Sequence, residues 1–343
     1  METDHVVRFD DARSMDDVAD GSVELVVTSP PYPMIELWDG AFSTLDPTVG
    51  EALDAGDGDR AFEAMHAVLD SVWDEVERVL APGGIVCVNV GDATRTLEEF
   101  QVYPNHVRIT RALRERGLTP LPDVLWRKPA NSGAKFMGSG MLPTNAYATL
   151  EHEYVLVFRK GGRRSFEPGS DRRYESAYFW EERNRWFSDL WDDVRGIGQG
   201  LAEPELRERS AAFPFAIPYR LVCMYSVYGD TVCDPFWGTG TTSLAAMVAG
   251  RSSIGYELDD GFASVFDDRV ASVEELSERV VERRLDDHRA FVEEVEAEGG
   301  ELGYDAERYG FPVRTAQERR ITFYTVEGVD RTDEGYHLTH RRG

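Results

Sequence analysis

Two short motifs carry the residue types that could do chemistry. Thr28-Ser29-Pro30-Pro31-Tyr32 closes an apolar run near the N-terminus, and Asp234-Pro235-Phe236-Trp237-Gly238-Thr239-Gly240-Thr241-Thr242 follows another about 200 residues later. An amine attached to an aromatic ring is a poor nucleophile, because its lone pair is delocalised into the ring. Two acceptors gripping its hydrogens would pull it toward a tetrahedral, nucleophilic geometry. Ser29 supplies a hydroxyl acceptor and Pro30 a carbonyl, and the Pro30-Pro31 pair fixes the backbone so that the carbonyl points one way. Tyr32 supplies a ring face on which a flat aromatic group can stack. On its own, the tetrapeptide reads equally as a polyproline turn after a strand.

The second motif has the pattern of a strand, an acid, a glycine-rich turn and a helix. That unit binds nucleotide-like ligands at the carboxyl end of a sheet. Gly238 and Gly240 let the backbone approach a ligand closely, and the helix N-terminus that follows favours a carboxylate. A dinucleotide fingerprint would place a third glycine where Ser243 stands, and a phosphate-binding loop would need a lysine that is not there. Seventeen residues after Gly240, Glu257 ends the next strand, where a carboxylate can accept both hydroxyls of a ribose. Without a ligand, the same residues describe a tight structural turn.

The elements that position these motifs follow from periodicity. His5–Phe9, Ser22–Thr28, Ile85–Val90, Val124–Arg127, Glu153–Lys160, Thr231–Cys233 and Ser252–Tyr256 read as strands, several of them apolar throughout as buried parallel strands are. Ala61–Leu80, His106–Arg116, Phe213–Tyr228, Thr242–Ala249 and a charged stretch from Asp260 to Glu298 read as helices, the first stopped by Pro82-Gly83-Gly84. Residues 33–60, rich in Gly, Asp and Pro, read as a long loop. Residues 161–200 break the alternation, and Arg320–Val326 and Gly335–Thr339 read as two final strands. Repeated βα units predict an α/β, doubly wound, Rossmann-like sheet.

Composition narrows the class. No apolar stretch approaches the ~18–20 residues of a membrane span, and Met1-Glu2-Thr3-Asp4 does not open a signal peptide. Cys87, Cys223 and Cys233 sit singly in apolar runs, as buried thiols of a reducing cytoplasm do, with no disulfide or metal spacing. The net charge of −26, with only three lysines among 37 basic residues, reads as adaptation to high salt, where an acidic surface keeps a protein solvated. The exception is the stretch from Arg108 to Arg195, with 16 Arg and Lys against 12 Asp and Glu. There a polyanion could be held. Within it Arg163, Arg164, Arg172, Arg173, Arg183 and Arg185 alternate with Phe166, Tyr174, Trp180, Trp186 and Trp191, a mixture suited to gripping phosphates and stacking on bases. A solvated loop with its own small core would have the same composition.

With the tetrapeptide first and the glycine-rich loop last, the chain resembles the permuted β class of S-adenosylmethionine-dependent DNA amino-methyltransferases. The resemblance extends to Leu80-Ala81-Pro82-Gly83-Gly84, Trp126-Arg127-Lys128, Glu153–Gly161, Ala212-Phe213-Pro214-Phe215 and Pro218-Tyr219-Arg220-Leu221, and spans residues 5–275. Where many members carry a Lys-His-Pro-like lead-in, this chain has Glu208-Arg209-Ser210.

The resemblance implies S-adenosyl-L-methionine as cofactor, held by Asp11, Phe213, Pro214, Asp234, Phe236, Gly238, Gly240, Thr241, Thr242 and Glu257. It implies Ser29, Pro30, Pro31 and Tyr32 as the catalytic motif. Members with Thr-Ser-Pro-Pro-Tyr mostly methylate cytosine-N4, and those with Asp or Asn in place of the serine mostly adenine-N6, so cytosine-N4 is expected and adenine-N6 is the alternative. Methylation at cytosine-C5 would need a nucleophilic cysteine in a loop, and none of the three is so placed.

Duplex DNA is the expected partner, a cognate restriction endonuclease is left open, and neither membrane nor metal is expected. The implied division is a catalytic half (1–160), an inserted target-recognition segment (161–205), a cofactor-binding half (206–280) and a C-terminal extension without a role (281–343). A rival from another class is a catalytically silent DNA-binding module, against which the intact Ser29, Tyr32, Gly238, Gly240 and Glu257 speak.

Overall fold

Strands that are apolar at nearly every position need cover on both faces, and the fold provides it. The computed structural model describes residues 1–128, 137–194 and 213–343. β1 (Glu2–Arg8) and β2 (Val23–Thr28) open the chain, followed by a 3-10 turn (Glu36–Trp38) and helices α1 (Asp39–Leu45), α2 (Pro47–Asp54) and α3 (Gly58–Val79). β3 (Leu80–Val90), the hairpin β4 (Ala93–Thr96) and β5 (Phe100–Tyr103), α4 (Asn105–Glu115), β6 (Leu118–Pro120) and β7 (Val124–Arg127) come next. A small hairpin, β8 (Met137–Gly138) and β9 (Ala146–Tyr147), precedes β10 (His152–Lys160), and α5 (Asp171–Glu175), α6 (Trp180–Trp186) and β11 (Leu190–Trp191) follow it. The remainder is α7 (Ala216–Tyr225), β12 (Thr231–Asp234), α8 (Thr241–Ala249), β13 (Ser252–Tyr256), α9 (Phe262–Val270) and α10 (Val273–Ala297). A short hairpin, β14 (Tyr304–Asp305) and β15 (Pro312–Val313), and the closing strands β16 (Tyr324–Thr332) and β17 (Gly335–Arg342) end the chain.

The main sheet runs β11-β7-β10-β3-β2-β12-β13-β1-β17-β16, with β6 also on β10. β3, β2, β12, β13 and β1 are mutually parallel, while β10 and β17 run against their neighbours β3 and β1. Alternate residues of one strand feed opposite cores. Leu25 and Val27 join Ile85, Cys87, Val232 and the helices α7 and α8 on one face. Val26 joins Val86, Val88, Cys233 and the α3 residues Trp73 and Val76 on the other. This is the doubly wound α/β sheet that the periodicity implies. All three cysteines are buried and unpaired, and burial pushes the Cys87 and Cys233 thiols up.

Three expectations need correction. Residues 33–60 are largely helical. Their Asp and Pro residues start helices: the Asp46 carboxylate accepts from Thr48 N (2.9 Å) with Pro47 in the first turn of α2, and Asp57 accepts from Arg60 N (3.1 Å) to cap α3. The turn Pro82-Gly83-Gly84 lies inside β3, where Gly83 has φ +83° and a Cβ would stand 2.7 Å from Arg164 N. The charged stretch from Asp260 to Glu298 is two helices, broken at Ala271-Ser272.

The expected inserted segment is also less separate than its composition suggests. β11 extends the main sheet by pairing Leu190 and Trp191 with Leu125 and Trp126 of β7. Phe179 packs with Val281, Ala306, Phe311, Val313, Ile321 and Phe323, so the segment and the C-terminal residues share one core. Its polar centre is Glu182, which accepts from Arg284 at 2.5 and 2.7 Å while Arg284 lies over Trp186 and Phe323. Both side chains are about nine-tenths buried or more, at 6% and 11% exposure. Glu182→Ala would strand a buried guanidinium and should cost about 3–5 kcal/mol, read as a lower midpoint in chemical denaturation. A midpoint equal to wild type would show that the pair does not hold the two segments together.

Candidate active site

β2 and β12 are neighbours, yet the chain leaves them in opposite directions: β2 passes to β3 on one side and β12 to β13 on the other. Their carboxyl ends therefore part, and ligand sites of open α/β sheets form at such crevices. The tetrapeptide follows β2 and the glycine-rich turn follows β12. Thr28 Oγ1 donates to Asp234 Oδ1 at 2.6 Å, and Thr242 Oγ1 donates to the Val27 carbonyl at 3.2 Å. Two motifs far apart in sequence are thereby locked edge to edge.

The turn itself is held by its own backbone and by β13. Phe236 N donates to Asp234 Oδ1 (3.1 Å), Trp237 N to the Tyr256 carbonyl (2.9 Å) and Gly238 N to Glu257 Oε2 (2.8 Å), while Asp259 N donates to Glu257 Oε1 (3.0 Å). The two glycines do different work. Gly238 (φ +54°) would place a Cβ in open space, with only the Phe236 carbonyl 4.0 Å away. Gly240 (φ +71°) would drive a Cβ into Phe266 and Trp237, at 2.4 and 2.7 Å, so its bareness serves packing. Ser243, at the third fingerprint position, accepts from the Trp237 indole at 2.9 Å.

A cavity of about 450 Å³ opens between the two motifs. Of the candidate residues, Asp11, Ser29, Pro30, Pro31, Phe213, Asp234, Phe236, Gly238, Thr241 and Glu257 line it. Tyr32, Pro214, Gly240 and Thr242 stand outside the lining. The opposite wall comes from residues that the sequence did not single out: Leu37, Trp38, Phe42 and Leu45 from the turn and α1, and Val68, Leu69 and Val72 of α3. Burial pushes Asp234 up to about 6, against the hydrogen bonds from Thr28 and Phe236 N that favour its charge. Burial also raises Glu257, opposed by the amides of Asp259, Gly238 and Leu258. Two desolvated carboxylates held by hydroxyls and amides suit a ligand that brings a cation and further donors.

Beside the cavity, Tyr32 is part of a polar cluster. Its hydroxyl donates to Glu153 Oε2 (3.0 Å), accepts from Asn89 Nδ2 (2.9 Å) and lies 3.2 Å from Ser29 Oγ. Asn89 Nδ2 also donates to Glu153 Oε2 (2.7 Å), and Lys128 pairs with Glu153 Oε1. A polar residue in an otherwise apolar strand is the one sequence signal that could have pointed to Asn89 and Glu153.

A sequence profile of the N6_N4_Mtase family, described as DNA methylase, matches residues 23–268. The chain belongs to this DNA methylase family. The methylase is 51% identical over 328 residues to the type II methyltransferase M.MthZI of Methanothermobacter thermautotrophicus, covering 94% of this chain and 91% of that one. It is 47% identical over 280 residues to the type II methyltransferase M.MjaI of Methanocaldococcus jannaschii, covering 78% and 91%. Among solved structures, a candidate DNA modification methylase of Thermus thermophilus, in complex with S-adenosyl-L-methionine, superposes with a TM-score of 0.61 at 32% identity, covering 78% of this chain and 94% of that one. The cytosine-N4-specific PvuII DNA methyltransferase shares the fold (TM-score 0.53, 18% identity, 82% and 94% covered).

Two of the arginines proposed for DNA have other work in this methylase. Arg164 (2.5 and 2.8 Å) and Arg172 both bind the fully buried Asp230, and removing either would leave a buried ion pair incomplete. Asp230 immediately precedes β12, and Arg164 passes Gly83 at the start of β3, so this cluster sits at the amino ends of the strands, away from the cavity. Arg173 stacks with Arg164 on Phe166. Arg183 lies over Phe187, and Arg185 is 3.6 Å from Asp287. Arg163 is exposed, and Trp186 and Trp191 are core.

The raised Asp234 pKa has a stability consequence. The folded ligand-free protein retains a proton that the unfolded chain releases near pH 4, so this group's contribution to stability falls as pH rises from about 4 to about 6. Asp234→Asn keeps the shape, and its amide can still face Thr242. It should melt a few degrees above wild type at pH 7, with the advantage vanishing near pH 4, in calorimetric scans without ligand. Equal melting at both pH values would place Asp234 in a wetter setting than its burial indicates.

Proposed function

We propose that this DNA methylase transfers a methyl group from S-adenosyl-L-methionine to the N4 amino group of cytosine at a specific site in duplex DNA, as a member of the permuted β class. The observation that carries the reading is the cavity onto which Thr28–Asp234 brings both the tetrapeptide and the glycine-rich turn. The residues suit that cofactor. Of the residues lining the cavity, Asp234, Gly238 and Thr241 at the start of α8 would hold its charged methionine end, Glu257 would accept the ribose hydroxyls, Asp11 would serve the adenine, and Phe213 and Phe236 would supply apolar cover. S-adenosyl-L-methionine supplies a methyl group already activated on a sulfonium. The protein's part is to hold the amine: Ser29 Oγ and the Pro30 carbonyl accept its two hydrogens and draw the lone pair out of conjugation, while the partly buried Tyr32 backs the extruded base. DNA approaches the carboxyl edge of the sheet, where exposed Phe100 stacks on Tyr147 (4.9 Å between ring centres) and joins two hairpins. A cognate restriction endonuclease fits the type II relatives.

Two substitutions should separate chemistry from cofactor binding. Ser29→Ala should lower single-turnover transfer of labelled methyl to unmethylated phage DNA by at least ~10²-fold, with cofactor affinity unchanged. Glu257→Ala should weaken cofactor binding by about 1.5–3 kcal/mol in calorimetric titration. Digestion of the product identifies the base: label on N6-methyladenine instead of N4-methylcytosine would overturn the cytosine assignment, and full activity in Ser29→Ala would remove the tetrapeptide from the chemistry.

The acid excess fits a high-salt cytoplasm. Self-repulsion among the acids should unfold the protein as ionic strength is lowered, seen as loss of the far-ultraviolet circular dichroism signal on dialysis against dilute buffer. A protein folded and active there would contradict the halophilic reading.

A further inference from the structure

We infer that Glu153, acting through Tyr32, orients the Ser29 hydroxyl so that its lone pairs face the target amine. The inference rests on the reading of Ser29 as acceptor for that amine, and it follows from counting protons along the cluster. A carboxylate has only lone pairs to offer, so every neighbour of Glu153 must donate to it. Lys128 does so at Oε1. At Oε2, Asn89 can present only its NH2 group, 2.7 Å away, because an amide oxygen there would face an anion. Tyr32 has one proton, and the anionic oxygen 3.0 Å away is its strongest acceptor. Burial, and then the charge of Glu153, keep that phenol protonated. The Tyr32 oxygen is left as an acceptor, already taking one hydrogen from Asn89 at 2.9 Å.

Ser29 Oγ, 3.2 Å from the same oxygen, can therefore make this contact only by donating. Its proton is drawn toward Tyr32, and its lone pairs are left for the cavity that Ser29 lines. A serine free to rotate would spend part of its time presenting a proton to the amine, which needs acceptors. Glu153 is thus a positioning residue two hydrogen bonds from the chemistry. Tyr32 adds a hydroxyl function to the ring function expected from sequence.

Glu153→Gln tests the direction of the chain. With the amide oxygen turned to Lys128, its NH2 group faces Tyr32 and Asn89 and reverses the order of donors. Single-turnover methyl transfer to unmethylated phage DNA should fall by ~10²-fold, with half-saturating cofactor and DNA concentrations little changed. Because the residues act as a unit, Ser29→Ala combined with Glu153→Gln should be no slower than Ser29→Ala alone. Tyr32→Phe leaves Glu153, Asn89 and Lys128 in place, carries the test if Glu153→Gln does not fold, and should lose at least about tenfold. Loss of activity in Ser29→Ala with wild-type rates in Glu153→Gln and Tyr32→Phe would overturn the inference alone, as would fully additive losses in the double variant. Wild-type rates in Ser29→Ala would overturn the underlying function and the inference together.

Discussion

The site depends on the hydrogen bond from Thr28 to Asp234, which joins two strand ends 206 positions apart in the chain. Burying a carboxylate costs several kcal/mol unless donors reach it. Here they come from two directions: Thr28 on β2 and the Phe236 amide in the turn. Any displacement of β2 against β12 would leave the acid under-satisfied, so the same contact that positions the glycine-rich turn penalises loss of register. The order of the motifs along the chain is of no consequence to this arrangement. What matters is that β2 and β12 are adjacent and parallel, so that both motifs emerge at one edge.

The features legible in the sequence are those encoded by contiguous residues. Ser22–Thr28 and Ile85–Val90 read as buried strands because both faces are covered, and Glu257 was found because a strand tip lies at a fixed distance along the chain from the turn. The unread features depend on partners far away. Asp46 and Asp57 could not be recognised as helix caps without knowing that the apolar side of α1 and α2 (Phe42, Val49 and Ala52) shares a core with α3. Asn89 and Glu153 converge on Tyr32, and Lys128 on Glu153, from three different strands or strand ends. Arg164 and Arg172 looked free for phosphate because Asp230, which claims them, lies 66 and 58 positions away.

The two glycines of the turn show the limit of motif reading from the other side. Gly238 and Gly240 both adopt positive φ, and a pattern match treats them alike. One leaves space for a ligand; the other leaves space for Phe266, through which α9 packs onto the turn. A larger residue at the first position would project into the cavity, and at the second it would displace a helix. Loss of function at Gly240 would therefore say little about binding.

The shared core of Phe179 with the C-terminal residues, and the ion pairs from Arg164 and Arg172 to Asp230, bear on how far residues 161–194 can be exchanged in this scaffold. Residues 161–194 begin at the amino edge of the sheet, contribute an edge strand, and are cemented to α10 and β15. Such a segment is not a cassette. Grafting it from a relative would import half of a core and half of an ion-pair cluster. The segment therefore tolerates substitution of exposed side chains one at a time better than exchange of the whole.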